Sequence, residues 1–329
     1  MCQMNNLAPI ILFCYNRPNH LRKTLGWLIA NKYASDSILY VFCDGPKNGA
    51  TQEQLQKIEE ARKVVNEIAV IPSFKEVHVV KRDVNLGLGK SIITGVTEVI
   101  NKYGKAIVLE DDLETSPFFL SYMNQCLEHY ENRKSVFSIS SLSRPHPERF
   151  YPQDYPYDVY CSLTHHPTGW ATWADRWSQV DWDIKAYDTM KDNPEMIAAF
   201  RRIEYPEWDD IVNIKMTGKN IWSVRFGLAH FVNHAVSICP IVSYINHIGW
   251  DSEGTNATAG GQVWFNDKLS NTDNIRFCDI LYLDKRIINS WYSFTIPYRR
   301  SLWGRLKNWY GRKFLGRDEF ALKGKVFTD

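Results

Sequence analysis

Long apolar runs, paired cysteines and a charge imbalance are all missing from this sequence, and each absence excludes something. No window approaches the ~18 consecutive apolar residues of a membrane-spanning helix. No basic stretch followed by an apolar run opens the chain, so no secretory leader is expected. The seven cysteines (2, 14, 43, 126, 161, 239, 278) are scattered with no CxxC. That spacing argues against a disulfide framework and favours a reducing, cytoplasmic compartment. Cys14 and Cys43 sit inside apolar runs and read as buried thiols. The formal net charge is only +2, so the chain as a whole carries no polyanion-binding signature and no nucleic-acid partner is expected. His165 and His166 are adjacent and diverge on regular structure, and no HxxxH spacing occurs, so zinc is discounted. Internal repeats and low-complexity tracts are absent as well.

What is present is a regular alternation of apolar runs and helical periodicity. Apolar runs over 9–15, 38–43, 77–81 and 106–109 read as strands. Between them, 20–30, 52–70 and 91–103 repeat apolar residues every three or four positions, which is helical spacing. This β-α-β-α-β-α-β order predicts an α/β fold, a mostly parallel central sheet with helices on both faces. Further on, 118–130 reads as a helix, 136–140 as a strand, 143–160 as a long surface connection, and 181–203 and 208–217 as helices. With 329 residues, the chain divides into a first half over 1–140, a second over 141–285 and a tail over 286–329. The 12 Trp and 17 Tyr concentrate after residue 150, which suits a ringed ligand or an aromatic core. Residues 249–261 hold four glycines around Trp250 and read as a lid loop. The tail over 299–317 interleaves Arg and Lys with Trp, Leu and Phe, a pattern suited either to an anionic membrane surface or to docking on its own domain.

The stretch most informative about chemistry is 106–112, four apolar residues followed by Glu110, Asp111 and Asp112. Bunched acids at the end of a strand buried on both faces repel one another, and burial raises the cost. A hard divalent cation, Mg²⁺ or Mn²⁺, carrying a phosphate relieves that repulsion, and ligands of open α/β sheets sit at the carboxyl ends of strands. The bland alternative is a solvated acidic turn, with Asp112 or Ser116 capping the next helix. Residues 85–91 resemble a phosphate loop but fail the Walker spacing, because position 84 is Val where glycine is needed. A tight strand-to-helix turn explains Gly87 and Gly89 as well. Trp208, Asp209 and Asp210 form a second acidic cluster. They serve either as helix-start acids or as an aromatic and a carboxylate that hold a sugar, with a base for an incoming hydroxyl.

Three ordered stretches resemble the inverting N-acetylglucosaminyltransferase I type of nucleotide-sugar glycosyltransferase (glycosyltransferase family 13) and its bacterial relatives. Val108-Leu109-Glu110-Asp111-Asp112-Leu113-Glu114, followed by Pro117 and Phe118, is similar to that family's Glu-Asp-Asp-Leu-Glu variant of the DxD motif. Gly169-Trp170-Ala171-Thr172-Trp173-Ala174-Asp175-Arg176-Trp177 resembles its Gly-Trp-x-x-x-Ala-acid-x-Trp segment, and Trp208-Asp209-Asp210 its Trp-Asp-Asp. Tyr15-Asn16-Arg17 and Asp44-Gly45 look like the nucleotide-binding ends of its first two strands. The resemblance spans about residues 8–260 and implies a GT-A fold, here with a C-terminal helical, aromatic extension.

The resemblance implies a UDP-sugar donor, with UDP-GlcNAc the family's habit, and a glycan or lipid-linked glycan acceptor, as in bacterial surface polysaccharide synthesis. Asp112 is then the ligand of a Mn²⁺ or Mg²⁺ ion. Arg17, Asp44, Asn85, Glu110, Asp111 and Trp208 contact the donor, with Asp44 on the uracil edge and Trp208 over the sugar. Asp209 is the general base, and Trp170, Asp210 and Trp250 lie on the acceptor side. The family's histidine near Asn85 is missing here, and the chain begins close to its first strand, so no anchor like that of the eukaryotic members is expected. Two alternatives stay open: a sugar nucleotidyltransferase, disfavoured because no glycine-rich loop follows the first strand, and a non-catalytic glycan-binding protein on the same fold.

Overall fold

The computed structural model describes residues 6–143, 151–163, 165–200, 208–249, 266, 268–288 and 310. Its first part is built as the periodicity predicts: β1 (Ile10–Cys14), α1 (Pro18–Ile29), β2 (Ile38–Cys43), α2 (Gln52–Ala69), β3 (Glu76–Lys81), α3 (Leu88–Tyr103) and β4 (Lys105–Glu110). Pro18 opens α1, where its missing N–H leaves no orphan donor. A reciprocal Thr51–Gln54 capping box opens α2. Strand order is β3-β2-β1-β4, all parallel.

Alternate residues of these strands feed two cores, which is why the strands read as continuous apolar runs. Ile10, Leu12, Ile107 and Leu109 join Leu21, Leu25 and Leu28 of α1 and Val64 and Val65 of α2 on one face. Ile11, Phe13, Ala106 and Val108 join Ile92, Val96 and Ile100 of α3 on the other. Each of the three α1 leucines is completely buried, and each contributes about 1.5–3 kcal/mol of transfer free energy.

The chain continues through β5 (Leu113–Thr115), α4 (Phe119–His129), β6 (Val136–Ser140), β7 (Val159–Ser162), β8 (Trp170–Trp173), α5 (Ala174–Trp177), α6 (Ala186–Met190), α7 (Pro194–Phe200), α8 (Trp208–Thr217), α9 (Trp222–Val232), β9 (Val236–Pro240) and β10 (Ile245–His247). The main sheet is completed in the order β4-β8-β6-β9-β7, and β5 and β10 form a separate antiparallel ribbon. Strand β8 comes from the second half of the chain yet lies between β4 and β6, antiparallel to both, so the two halves share one sheet.

Three expectations change here. The region 181–203 is not one helix: α6 and α7 are separated around Asn193, and Ile184 adopts φ 55°. Pro194 cannot donate a helical hydrogen bond, and this ends any continuous run. The connection 143–160 is not wholly superficial, since Tyr151 and Tyr155 are buried in a cluster with Tyr160 and Cys239 before β7 begins. The segment around Trp170 is core. Trp170 is 1% exposed and stacks against Trp177 and Trp222, with ring centroids 5.6 and 5.0 Å away, so it does not reach an acceptor. Trp177 Nε1 donates to Thr97 Oγ1 at 2.9 Å and Trp173 Nε1 to the Leu127 carbonyl at 3.2 Å. The buried Arg176 guanidinium donates to the carbonyls of Glu131, Arg133 and Val136 just past α4. Three tryptophan side chains and an arginine thus tie α3, α4 and the sheet together.

Among the described residues, six cysteines are all free and buried, Cys14 and Cys43 included. No helix there is long and apolar enough to cross a membrane. The tail over 299–317, apart from Tyr310, lies outside the described residues, as do Trp250 and the rest of the expected lid beyond Gly249.

His230 gives the fold a pH signature. It is fully buried; its Nδ1–H donates to the Phe226 carbonyl at 2.8 Å, and Nε2 faces Ser138 Oγ at 3.0 Å. Burial, opposed by the Phe226 bond, holds it neutral down to about 4. Below its ordinary value near 6.5 the unfolded chain takes up a proton that the folded chain refuses, so stability falls as pH drops from about 6.5 towards 4. The loss is on the order of 3 kcal/mol. Urea midpoints measured across that range should decline more steeply for the native protein than for His230→Gln; parallel curves would contradict the assignment.

Candidate active site at the carboxyl ends of the sheet

Parallel register decides which residues meet. Cys14 pairs with Cys43, and Phe13 with Glu110, so β1, β2 and β4 end side by side. Immediately beyond those ends come Arg17, Asp44 and the Glu110-Asp111-Asp112 run. The structure therefore brings together five of the residues singled out by sequence, at the edge where an open α/β sheet binds its ligand.

The acids are not a solvated turn. Asp111 and Asp112 are 8% and 6% exposed, and Glu110 is half-buried. Arg17 Nη1 lies 2.6 Å from Asp112 Oδ2, a charge-assisted hydrogen bond. Asp112 Oδ1 is buried with no hydrogen-bond partner. Asp111 Oδ2 accepts a 3.3 Å bond from the Tyr15 N–H, and its carbonyl takes the Thr24 hydroxyl, whose oxygen accepts from Leu113 N–H. Helix α1 thus clamps the acidic turn from below. Ser116, not Asp112, serves the approach to α4: its hydroxyl accepts from the Phe118 N–H at 3.2 Å.

Burial and mutual repulsion raise the proton affinity of two of these carboxyls. Burial first, then Asp112 and Asp111, raises the Glu110 carboxyl to about 8; burial, then Asp112, raises Asp111 to about 7. Arg17 counters both. One guanidinium is too little positive charge for three clustered acids.

A residue that the sequence reading missed completes the cluster. Ribbon β5–β10 places His247 opposite Leu113, and its Nε2 lies 3.6 Å from Asp112 Oδ2. Burial lowers the His247 pKa, and Asp112 opposes that shift. Two residues on, Gly249 touches the same carboxylate: a Cβ built there would sit 2.2 Å from Asp112 Oδ2. Nothing in the local sequence links position 247 to position 112, because a tertiary strand pairing makes the contact.

Asp44 is 6% exposed, and its carboxylate accepts the N–H groups of Gly45, Leu86 and Gly87 at 3.0, 2.9 and 3.1 Å. Asn85 donates to the Gly45 carbonyl at 2.9 Å. Gly87, at φ 74°, caps α3, so the glycine-rich stretch is the tight strand-to-helix turn. A carboxylate has about four acceptor positions. Three of Asp44's are committed to this turn, which leaves one for a ligand.

Asp209 and Asp210 stand exposed on the first turn of α8, where they complement its dipole. Burial, then the charge of Asp209, raises the Asp210 carboxyl above its ordinary value. Trp208 is 6% exposed and stacks on Tyr187 with centroids 5.7 Å apart, so its ring is packed mainly in the α6–α9 core. Helix α8 reaches the donor half through α9: the carbonyl of Asn220, between the two helices, would lie 2.4 Å from a Cβ at Gly89.

A divalent cation at the acid cluster would find Asp112 as its side-chain ligand. Among the described residues no group of three or more His, Cys, Asp or Glu side chains could cage a metal. The unpartnered Asp112 Oδ1 is a hard oxygen of the right kind, so a cation here would be shared between Asp112 and the oxygens of a ligand.

Residues 1–197 match the family model described as GNT-I family, which is more than half of the chain. The protein is an α/β protein that belongs to the GNT-I family. No curated protein matches it. Among solved structures, S. aureus TarS 1–349 aligns at TM-score 0.41 and 13% identity over 74% of this chain and 60% of TarS 1–349. A mannosyltransferase PcManGT from Pyrobaculum calidifontis, in complex with GDP-Man and Mn²⁺, aligns at 0.40 and 11% identity over 71% of this chain and 72% of its own. TarS 1–349 in complex with UDP aligns at 0.39 and 13% identity over 73% and 59%. The chain therefore spans about 60% of the TarS 1–349 structure.

Gly249 offers a direct check of the geometry. Replacing it with Ala forces a methyl group onto a buried carboxylate and should cost about 1–3 kcal/mol in denaturant unfolding. The cost should shrink in an Asp112→Ala background, because the clash is with that side chain. Equal costs in both backgrounds would contradict the contact.

Proposed function

We propose that this protein is a metal-assisted, inverting glycosyltransferase that moves a sugar from a UDP-sugar to a hydroxyl of a glycan acceptor. The observation that carries the reading is the buried Asp112 with one oxygen unpartnered, at the convergent ends of β1, β2 and β4. The family supplies the reaction class, and the site supplies the charge balance that the reaction needs.

Asp112 would hold Mn²⁺ or Mg²⁺ together with the donor's diphosphate. When bound, the cation offsets negative charge building on the departing nucleoside diphosphate. Arg17, paired with Asp112 at the same edge, would add positive charge for the phosphates. Asp111 and Glu110 accept hydroxyls of the ribose and of the transferred sugar. Asp44 and the 85–87 turn form the wall beside the nucleobase. Asp209 takes the proton of the acceptor hydroxyl as it attacks C1 from the face opposite the leaving group. Asp210, with its raised affinity for a proton, is the alternative base.

Two variants separate donor capture from chemistry. Asp112→Ala should abolish metal-dependent donor binding in a thermal-shift screen of nucleotide sugars with and without Mn²⁺. Asp209→Asn should keep that binding and lower transfer by roughly 10²–10⁴-fold, measured as UDP release dependent on acceptor. Unchanged donor binding in the first would remove Asp112 from the site, and full turnover in the second would move the base to Asp210.

A further inference from the structure

Beside the acid cluster, on the adjacent rung of the same ribbon, lies a cavity of about 340 Å³ lined by Trp27, Glu114, Asn246, Asn266, Ser270 and Asn271, among others. The Leu113–His247 rung belongs to the site already described. The next rung, Glu114–Asn246, presents its side chains to the other face by strand alternation.

The cavity wall is built rather than incidental. Asn246 is 2% exposed; its amide nitrogen donates to Glu114 Oε2 at 3.0 Å and to the Asn266 carbonyl at 3.1 Å, and its oxygen accepts the Asn266 N–H at 2.8 Å. Those bonds fix Glu114 and Asn266 relative to each other. Asn266 is itself 4% exposed, and its side-chain nitrogen has no hydrogen-bond partner. A buried amide donor left unpaired costs about 1–3 kcal/mol, and such a group in a folded protein calls for an explanation.

We propose that this cavity is a carbohydrate subsite, which takes one neutral sugar ring of the acceptor glycan at a remove from the reacting hydroxyl. The chemistry selects the ligand. Glu114 and Asn266 both line the cavity, and between them they offer a carboxylate acceptor and an amide donor, the pair of functions that sugar hydroxyls take. The half-buried Trp27 indole supplies an apolar face for the ring's C–H groups. Among the described residues no Lys, Arg or His lines the cavity, and the Glu114 carboxylate disfavours phosphate and acidic sugars. The volume is at the low end for ligand pockets and suits a single ring rather than a chain. The link to the acceptor rests on the glycosyltransferase reading; the sugar-binding subsite does not.

Saturation-transfer NMR with neutral methyl glycosides (mannoside, galactoside and N-acetylglucosaminide) on the full chain tests it. At least one glycoside should bind, with affinity falling about tenfold or more in Trp27→Ala and in Asn266→Ala. Binding should survive Asp112→Ala, whose donor capture is measured separately. Asn266→Ala removes a nitrogen that is unpaired in the free protein, so its Tm should hold or rise. A Tm fall would mark a structural role and count against the proposal. So would the absence of any glycoside signal, which would leave a cavity holding water only, or binding that persists in both cavity variants. Loss of binding in Asp112→Ala would also overturn it, by placing the sugar in the donor site. Failure of metal-dependent UDP binding with glycoside binding intact would sink the donor reading and leave the subsite standing.

Discussion

Electrostatic repulsion among carboxylates is the constraint on which the rest of this structure turns. Parallel pairing forces the ends of β1, β2 and β4 into line, and Asp111 and Asp112 arrive there buried beside a half-buried Glu110. The protein answers with partial measures: the Arg17 guanidinium on Asp112, the Tyr15 N–H on Asp111, and carboxyls pushed up towards neutrality at Glu110 and Asp111. None of these reaches Asp112 Oδ1. A site that stays short of positive charge on its own is suited to a ligand that brings a cation with it.

The second half of the chain contributes in two ways. Its Trp-rich segment is structural, with Trp170, Trp173 and Trp177 buried and Arg176 binding carbonyls beyond α4. Its β10 strand shapes the candidate site, because pairing with β5 delivers His247 and Gly249 to Asp112 and Asn246 to Glu114. One short ribbon therefore shapes both the acid cluster and the neighbouring cavity, and a change in either strand is felt in both.

Much of the donor half was legible in the sequence because its signals are local. Strands buried on both faces read as unbroken apolar runs, and α1, α2 and α3 carry helical periodicity. The acids of 110–112 stand out because charge at the end of such a strand needs a reason. Other features were hidden because they depend on contacts far along the chain. Strands β5 and β10 have three residues each, too few for a period to show, and so His247 could not be tied to Asp112. Trp170 was misplaced because aromatic enrichment looks the same in a core and at a ligand surface. The 181–203 region read as a helix because its composition is helical, while Pro194 and the left-handed Ile184 break it. The placement of Asp209 and Asp210 at a helix start was legible from their position alone.

The proposed reaction depends on a cation tying a nucleoside diphosphate to Asp112. Calorimetric titration of UDP at neutral pH, with Mn²⁺ and again with EDTA, tests that most directly. UDP should bind with Mn²⁺ and bind about tenfold or more weakly once the metal is removed, a difference of roughly 1.4 kcal/mol or greater. Equal UDP affinity under both conditions, or none under either, would contradict it.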